Sequence, residues 1–449
     1  MIKHLKMSNV GPAPKMELEF GRRLNLLTGD NGLGKSFLLD IAWWVMTGKW
    51  PAELNPKLTS GKVALPTDKK LKAEIDFSFS AASTTKDYTG TFESRGQSWT
   101  VPQGRPAHPG LVLYALADGS FAVWDPARNY SKAKTAEGQG RPPAYVVSQK
   151  EVWDGLQRED GTWLCNGLIR DWSSWQKEKG RAYESLISVL EVLSPSAIEK
   201  MVPGSLTRIS MDDVRDMPTL LMPYGQEVPV VHASSGMRRI ISLAYFLVWC
   251  WQEHIKAKDL LGESSDGVAW DEHTDASTAI SGKRPVANVA NAVFLIDEVE
   301  SHLHPKWQRT VIPALLKVMD QLTDAANLQL IAVTHSPLIM ASVEPLFDQT
   351  EDAWFDLDLV DNAVELTRRQ YARKGDARSW LTSEAFDMKS GYSIEAESAL
   401  DDAARALSDE QLSNAEAAAL EQRLRAVLSD TDPFWMRWRF VSEKKGWQL

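Results

Sequence analysis

Gly29-Asp30-Asn31-Gly32-Leu33-Gly34-Lys35-Ser36 decides the fold, because it satisfies G-x-x-x-x-G-K-[ST] at every fixed position. Upstream, Leu24-Asn25-Leu26-Leu27-Thr28 reads as a short buried strand, and downstream Phe37-Leu38-Leu39-Asp40-Ile41-Ala42 reads as a helix beginning just after the loop. That context builds an anion cradle: glycines let backbone N–H groups turn toward phosphates, and the helix N-terminus favours negative charge. The stretch predicts an α/β chain with a site for ATP and Mg2+. Lys35 is expected to reach the β/γ-phosphates, and Ser36 to ligate Mg2+.

The partner signals come much later. The apolar strand Val293-Phe294-Leu295-Ile296 runs into Asp297-Glu298, a Walker B pattern. Asp297 is placed to hold Mg2+, and Glu298, one residue beyond the strand, to orient or deprotonate the attacking water. A further strand, Leu328 to Val333, ends in Thr334-His335-Ser336, and open α/β sheets bind ligands at strand C-termini. His335 is therefore a candidate γ-phosphate sensor.

With Ala233-Ser234-Ser235-Gly236-Met237 ahead of an apolar helix, these motifs together resemble the ABC-type ATPase heads. The resemblance implies that Ser234, Ser235 and Gly236 contact the nucleotide held by an opposite subunit. Ala233, Ser235 and Met237 depart from the L-S-G-G-Q pattern, standing for Leu, the first Gly and the final Gln. Glu300-Ser301-His302-Leu303-His304-Pro305 has the E-x-H-L-H-P form of RecF-like and OLD-like prokaryotic ATPases. The opening, Ile2 to Met7, then Asn9-Val10-Gly11-Pro12 and Met16 to Phe20, resembles chromosome-maintenance, break-repair and RecF ATPases rather than membrane transporters. In such heads a Q-loop glutamine senses Mg2+ and the attacking water. Gln149, after the apolar run Ala144-Tyr145-Val146-Val147, and Gln157 both stand for that place, Gln149 being the choice carried forward.

With 449 residues, 43% hydrophobic and 24% charged, the chain is ordinary for a globular protein. Its longest apolar runs, such as Ile240 to Cys250, fall short of the roughly 20 residues of a membrane span, and the start lacks a signal-peptide core. A cytoplasmic protein is expected. Cys165 and Cys250 give neither a disulfide framework nor a metal cluster, and read as core filler. The net charge of −10 argues against a generally basic surface. Local basic stretches remain, at Arg368-Arg369 with Arg373-Lys374 and in Phe434-Trp435-Met436-Arg437-Trp438-Arg439-Phe440, where cations alternate with aromatic rings able to stack on bases. DNA is thus a candidate partner. In a chain with eighteen tryptophans, packing onto the body is the stronger reading of the tail aromatics.

The expected architecture is a P-loop NTPase head of ABC type over residues 1–370, with a mixed sheet, flanking helices and an antiparallel β subdomain at about 71–148. Leu111 to Val123 reads as a hairpin of that subdomain, 168–202 as a helical insert, and about 263–288 as a polar surface loop. No heptad run marks a coiled-coil arm. Trp354 to Leu366 reads as a hairpin at the sheet edge, with Asp356 and Asp358 pointing outward. Residues 371–449 read as helical, with a capping box at Ser413 to Glu416 and a Leu420, Leu424, Leu428 stripe.

One Walker A loop and one signature per chain imply, through the resemblance, a head-to-tail dimer or higher oligomer. The Asp-Glu-Val-Glu-Ser-His-Leu-His-Pro form further resembles ATPases of prokaryotic defence systems such as Septu and Gabija. That implies control of a separate effector such as a nuclease. A RecF-like DNA repair clamp and an ATP-gated scaffold that sequesters a protein are the two other readings.

Overall fold

A computed structural model describes residues 1–80, 85–101, 109–129, 143–260, 291–323, 327–408 and 412–447. The expected surface loop at 263–288 lies outside the described residues. The chain divides into two compact units, Met1–Ala377 and Arg378–Leu449.

The first unit is built on two large sheets, with two small ones of two and three strands beside them. Strands β1 (Ile2–Ser8), β2 (Lys15–Glu19), β4 (Glu74–Ser80), β5 (Thr85–Glu93) and β6 (Ser98–Thr100) form an antiparallel sheet in the order β2-β1-β4-β5-β6. The larger sheet takes β3 (Leu24–Gly29), β7 (Leu111–Ala115), β8 (Phe121–Trp124), β9 (Tyr145–Val147), β10 (Asn291–Ile296), β11 (Asn327–Val333), β12 (Ala353–Val360) and β13 (Ala363–Arg369). Its order is β13-β12-β3-β11-β10-β7-β8-β9. The five strands from β12 to β7 are mutually parallel, and β13 and β8 run antiparallel to their neighbours. Unbroken apolar runs such as Leu111-Val112-Leu113-Tyr114-Ala115 suit strands covered on both faces. The hairpin of 111–124 therefore belongs to the main sheet, beside β10, rather than to the antiparallel one as its spacing had suggested.

Helix α1 (Lys35–Thr47) lies between the two large sheets, which explains why it is apolar on nearly every side from Leu38 to Met46. Each large apolar side chain buried there contributes about 1.5–3 kcal/mol. The helix stops at Gly48, in the left-handed region (φ 71°), whose N–H donates to Trp44 O at 2.7 Å. Helices α2 (Gln149–Asp154), α3 (Leu168–Glu178) and α4 (Arg181–Val192) precede three short strands and the long helix α5 (Ser235–Leu260). Cys165 and Cys250 are buried free thiols, and burial pushes Cys165 up to about 12, so both fill the core. Near its far end, His254 of α5 meets Asp125, just past β8, at 2.7 Å with both side chains buried. Helices α6 (Val311–Thr323) and α7 (Pro337–Val343) flank β11.

In the second unit, α8 (Ile394–Ser408), α9 (Asn414–Val427) and α10 (Phe434–Lys445) share a core of Ala399, Ala403, Leu424, Leu428, Trp435 and Trp438. The Ser413 to Glu416 capping box opens α9. Of the tail aromatics, Trp435 and Trp438 enter this core, while Phe440 stays exposed. Among the described residues no helix is long and apolar enough to cross a membrane.

Candidate nucleotide site

The loop after β3 is shaped by close approach. Gly29 pairs in register with Leu357 of β12, and a Cβ there would sit 2.1 Å from the Leu357 carbonyl oxygen, at a φ of +121°. At the other end Gly34 (φ +99°) lies against the Pro12 ring. Leu33 is buried in the core between them, whereas Asp30, Asn31 and Gly32 are exposed. Gly34 offers no side-chain cap to α1 and the first turn holds no acid, so its leading N–H groups are left for an external anion. Lys35 folds its Nζ back onto the carbonyls of Gly29 (2.8 Å) and Asp30 (2.6 Å). Burial lowers its pKa, against the opposing pull of Asp297, Asp30, Glu298 and Asp356.

Asp297 follows β10 and donates its N–H to Ala115 O at 2.9 Å. Burial pushes its carboxyl up to about 6, opposed by the Ser36 hydroxyl and by the charges of Arg239 and Lys35. Its Oδ1 is buried with no hydrogen-bond partner. Glu298 takes a left-handed backbone (φ 46°) to turn the chain out of the strand, closed by Ser301 N–H to Glu298 O at 2.8 Å. A non-glycine residue in that region stores about 1–3 kcal/mol, the kind of strain found at working sites.

His335 is held from behind. One oxygen of Glu300 accepts the His335 N–H at 2.5 Å, and the other accepts the Thr334 hydroxyl at 2.8 Å. Burial and the Lys35 charge lower the His335 pKa, which favours the neutral ring. Lys35, Asp297, Glu298 and His335 thus share one edge of the sheet, at the C-terminal ends of β3, β10 and β11.

Ser234 and Ser235, at the start of α5, are exposed. The Ser234 hydroxyl accepts the Met237 N–H at 3.3 Å, an N-cap. Gly236 is buried, and a Cβ there would meet the His302 carbonyl oxygen at 2.6 Å. The signature and the loop after Glu298 therefore touch within one chain.

A family model described as "AAA domain, putative AbiEii toxin, Type IV TA system" matches residues 24–341, from the first residue of β3 into α7. The chain belongs to that family. Its nucleotide loop is accordingly the P-loop of an AAA domain. The chain is similar to the "Retron Ec83 probable ATPase" of Escherichia coli, with 30% identity over 21% of this chain and 15% of that one. It is also similar to the "Septu protein PtuA" of Bacillus thuringiensis, with 19% identity over 75% and 72% of the two chains. The chain thus spans less than a sixth of the length of the retron protein. The "SMC head domain from Thermotoga maritima" aligns with 82% of this chain and 99% of its own at 14% identity, but with a TM-score of only 0.39.

Arg239 and the two candidate glutamines take different places in this AAA-family chain. Arg239, which the sequence reading missed, reaches back from α5: its Nη2 donates to Leu116 O at 2.9 Å, and its Nη1 is buried with no partner. Asp118, Asp297 and Glu298 all act on its charge. The available signal was an arginine three residues after Gly236, on the buried side of a helix that turns apolar at Ile240. Gln149 begins α2, beyond β9, and lies against Gly119 in the β7–β8 turn. Gln157 instead closes its own turn, donating to Gly161 O at 2.7 Å.

Asp356 corrects an expectation. It does not point outward from an edge strand: β13 forms the edge, β12 is interior, and Asp356 is buried opposite Thr28, whose hydroxyl donates to it at 2.6 Å. Burial pushes its carboxyl up to about 6. Asp358 is half-buried and pairs with Arg369, which also reaches Asp356 at 3.3 Å.

The residues present suit ATP and Mg2+. A hydroxyl and carboxylate oxygens, one of them buried and unpartnered, are the hard donors that Mg2+ takes. The open helix N-terminus and Lys35 suit phosphate.

Proposed function

We propose that this chain binds ATP with Mg2+ and hydrolyses it as a head-to-tail dimer, or a higher oligomer built from such dimers. It serves as the cytoplasmic switch of a prokaryotic antiphage defence system and controls a separate effector such as a nuclease. The observation that carries this reading is a division of labour. Lys35, Asp297, Glu298 and His335 gather at one site, whereas Ser234 and Ser235 of the same chain are turned to solvent, free to meet another subunit's nucleotide. The likeness to retron and Septu proteins supports the defence role.

In this reading the N–H groups from Gly29 to Ser36 cradle the phosphates, Asp30, Asn31, Gly32, Leu33 and Gly34 supplying the turn. Lys35 exchanges the carbonyls of Gly29 and Asp30 for β/γ-phosphate oxygens. Ser36 and Asp297 would hold Mg2+, with Gln149 as a further candidate ligand, and the bound metal would supply charge neutralisation. Glu298 orients and deprotonates the attacking water, and neutral His335 donates a hydrogen bond to the γ-phosphate. Ser234, Ser235 and Gly236 of the second subunit close over that phosphate.

The test is light scattering of Glu298→Gln with ATP and Mg2+. The variant keeps the binding groups and loses the base, so it is expected to accumulate as a dimer while the wild type cycles back to monomer. A variant that stays monomeric with nucleotide bound would overturn the reading.

A further inference from the structure

We propose that the outward face of α10 is a binding surface for single-stranded nucleic acid, with a base stacked on Phe440 and phosphates taken by Arg437, Arg439 and Lys444. This stands whether or not the chain hydrolyses ATP.

The helix has two unlike sides. Trp435, Trp438 and Ser442, spaced three and four apart, are buried against α8 and α9. On the opposite side Met436 is 81% and Phe440 68% exposed, one turn apart. At 100° per residue, Arg437 and Lys444 fall on one flank of that apolar pair and Arg439 on the other. Glu443 is the single acid on the face.

The pairing of charges sets this face apart. Elsewhere in the second unit Lys389 pairs with Asp401, Arg405 and Arg423 with Asp402, and Arg425 with Glu421, while Arg378 stacks over Tyr392 and Lys445 over Trp447. Arg437, Arg439 and Lys444 have no ion pair or hydrogen bond from their side chains among the described residues. In a chain of net charge −10, three neighbouring cations left unmatched around an exposed ring are complementary to a polyanion with flat apolar faces. Two large apolar side chains are too few for insertion into a bilayer, where an amphipathic helix buries a whole stripe. They are also too few for the apolar centre of a stable protein interface.

The experiment is fluorescence anisotropy of the full chain with labelled single-stranded DNA and RNA of about 20 nucleotides, enough for one such site, across a salt series. Three phosphate contacts give log K against log salt a slope of about −2. Arg437→Ala with Arg439→Ala flattens it by about 1.4 and weakens binding at least tenfold at low salt. Phe440→Ala weakens binding about five- to one-hundred-fold with the slope unchanged. Glu443→Lys tightens binding and steepens the slope, a gain that misfolding cannot mimic. The proposal is overturned if the wild type binds neither oligonucleotide at low salt, or if the double variant and Glu443→Lys titrate like the wild type. It is likewise overturned if phosphatidylserine vesicles or polyglutamate, rather than the oligonucleotides, show the loss on Phe440→Ala.

Discussion

One carboxylate, Glu300, fixes the main chain of His335: it accepts the histidine N–H at 2.5 Å while its second oxygen takes the hydroxyl of Thr334. The loop after Asp297-Glu298 thereby positions the histidine at the end of another strand. Replacing Glu300 by Ala strands two buried donors, each costing about 1–3 kcal/mol. We expect a lowered denaturation midpoint and a fall in kcat larger than any rise in KM, with Glu300→Gln recovering part of both. A Glu300→Ala variant with wild-type stability and turnover would show that the contact does not matter.

Asp40, in α1, accepts the Tyr114 hydroxyl at 2.9 Å, and burial pushes its carboxyl up to about 7. The folded pKa lies above the unfolded value near 3.8, so the fold favours the protonated acid. That contribution is whole below the unfolded pKa and is lost as pH rises through about 7. Asp40→Asn keeps the acceptor without the charge. It is expected to raise stability at pH 8 by at least about 1 kcal/mol, since one pKa unit is about 1.4 kcal/mol, and to change little at pH 4. Urea melts at the two pH values decide it.

Arg239 is one of the charges holding the Asp297 carboxyl down. Removing it leaves that acid more often protonated near neutrality, and a protonated acid is a poor Mg2+ ligand. Arg239→Ala should therefore move the acid limb of the turnover-against-pH curve upward and raise the Mg2+ concentration for half-maximal rate. Arg239→Lys should restore part of both. An unmoved acid limb would mean that Arg239 only packs.

Asp356 and Asp358 differ in burial, and their variants should differ accordingly. Asp356→Ala leaves the buried Thr28 hydroxyl without its carboxylate and is expected to cost about 1–3 kcal/mol. Asp358→Ala removes a partly exposed ion pair worth about 0–1 kcal/mol. Thermal melts of the two variants give the comparison.

What could be read in the sequence was local. The glycine loop, its strand and its helix are contiguous, and Asp297-Glu298 follows directly on an apolar run, so residue type and spacing sufficed. Arg239 was illegible because its neighbours, Leu116, Asp118 and Asp297, are far away in the chain and only the sheet brings them together. Asp356 was misread because alternation tells which residues share a face of a strand, but not that β13 would cover β12 and make its position interior. The hairpin of 111–124 was assigned to the wrong sheet for the same reason: its pairing with β10 joins segments on either side of a long stretch of sequence. In the tail, the composition of α10 was plain, but which aromatics turn inward depended on α8 and α9.

Helix α5 is fastened to one hairpin at two points, by Arg239 to the carbonyl of Leu116 and by His254 to Asp125. A rod tied twice to the same plate cannot pivot on it. The β7–β8 hairpin is in turn laced in register to the strand that ends at Asp297. A tug on Ser234 from outside would therefore be borne by the whole assembly of rod, plate and neighbouring strand, and would be felt at Asp297 as traction rather than absorbed by a bending loop.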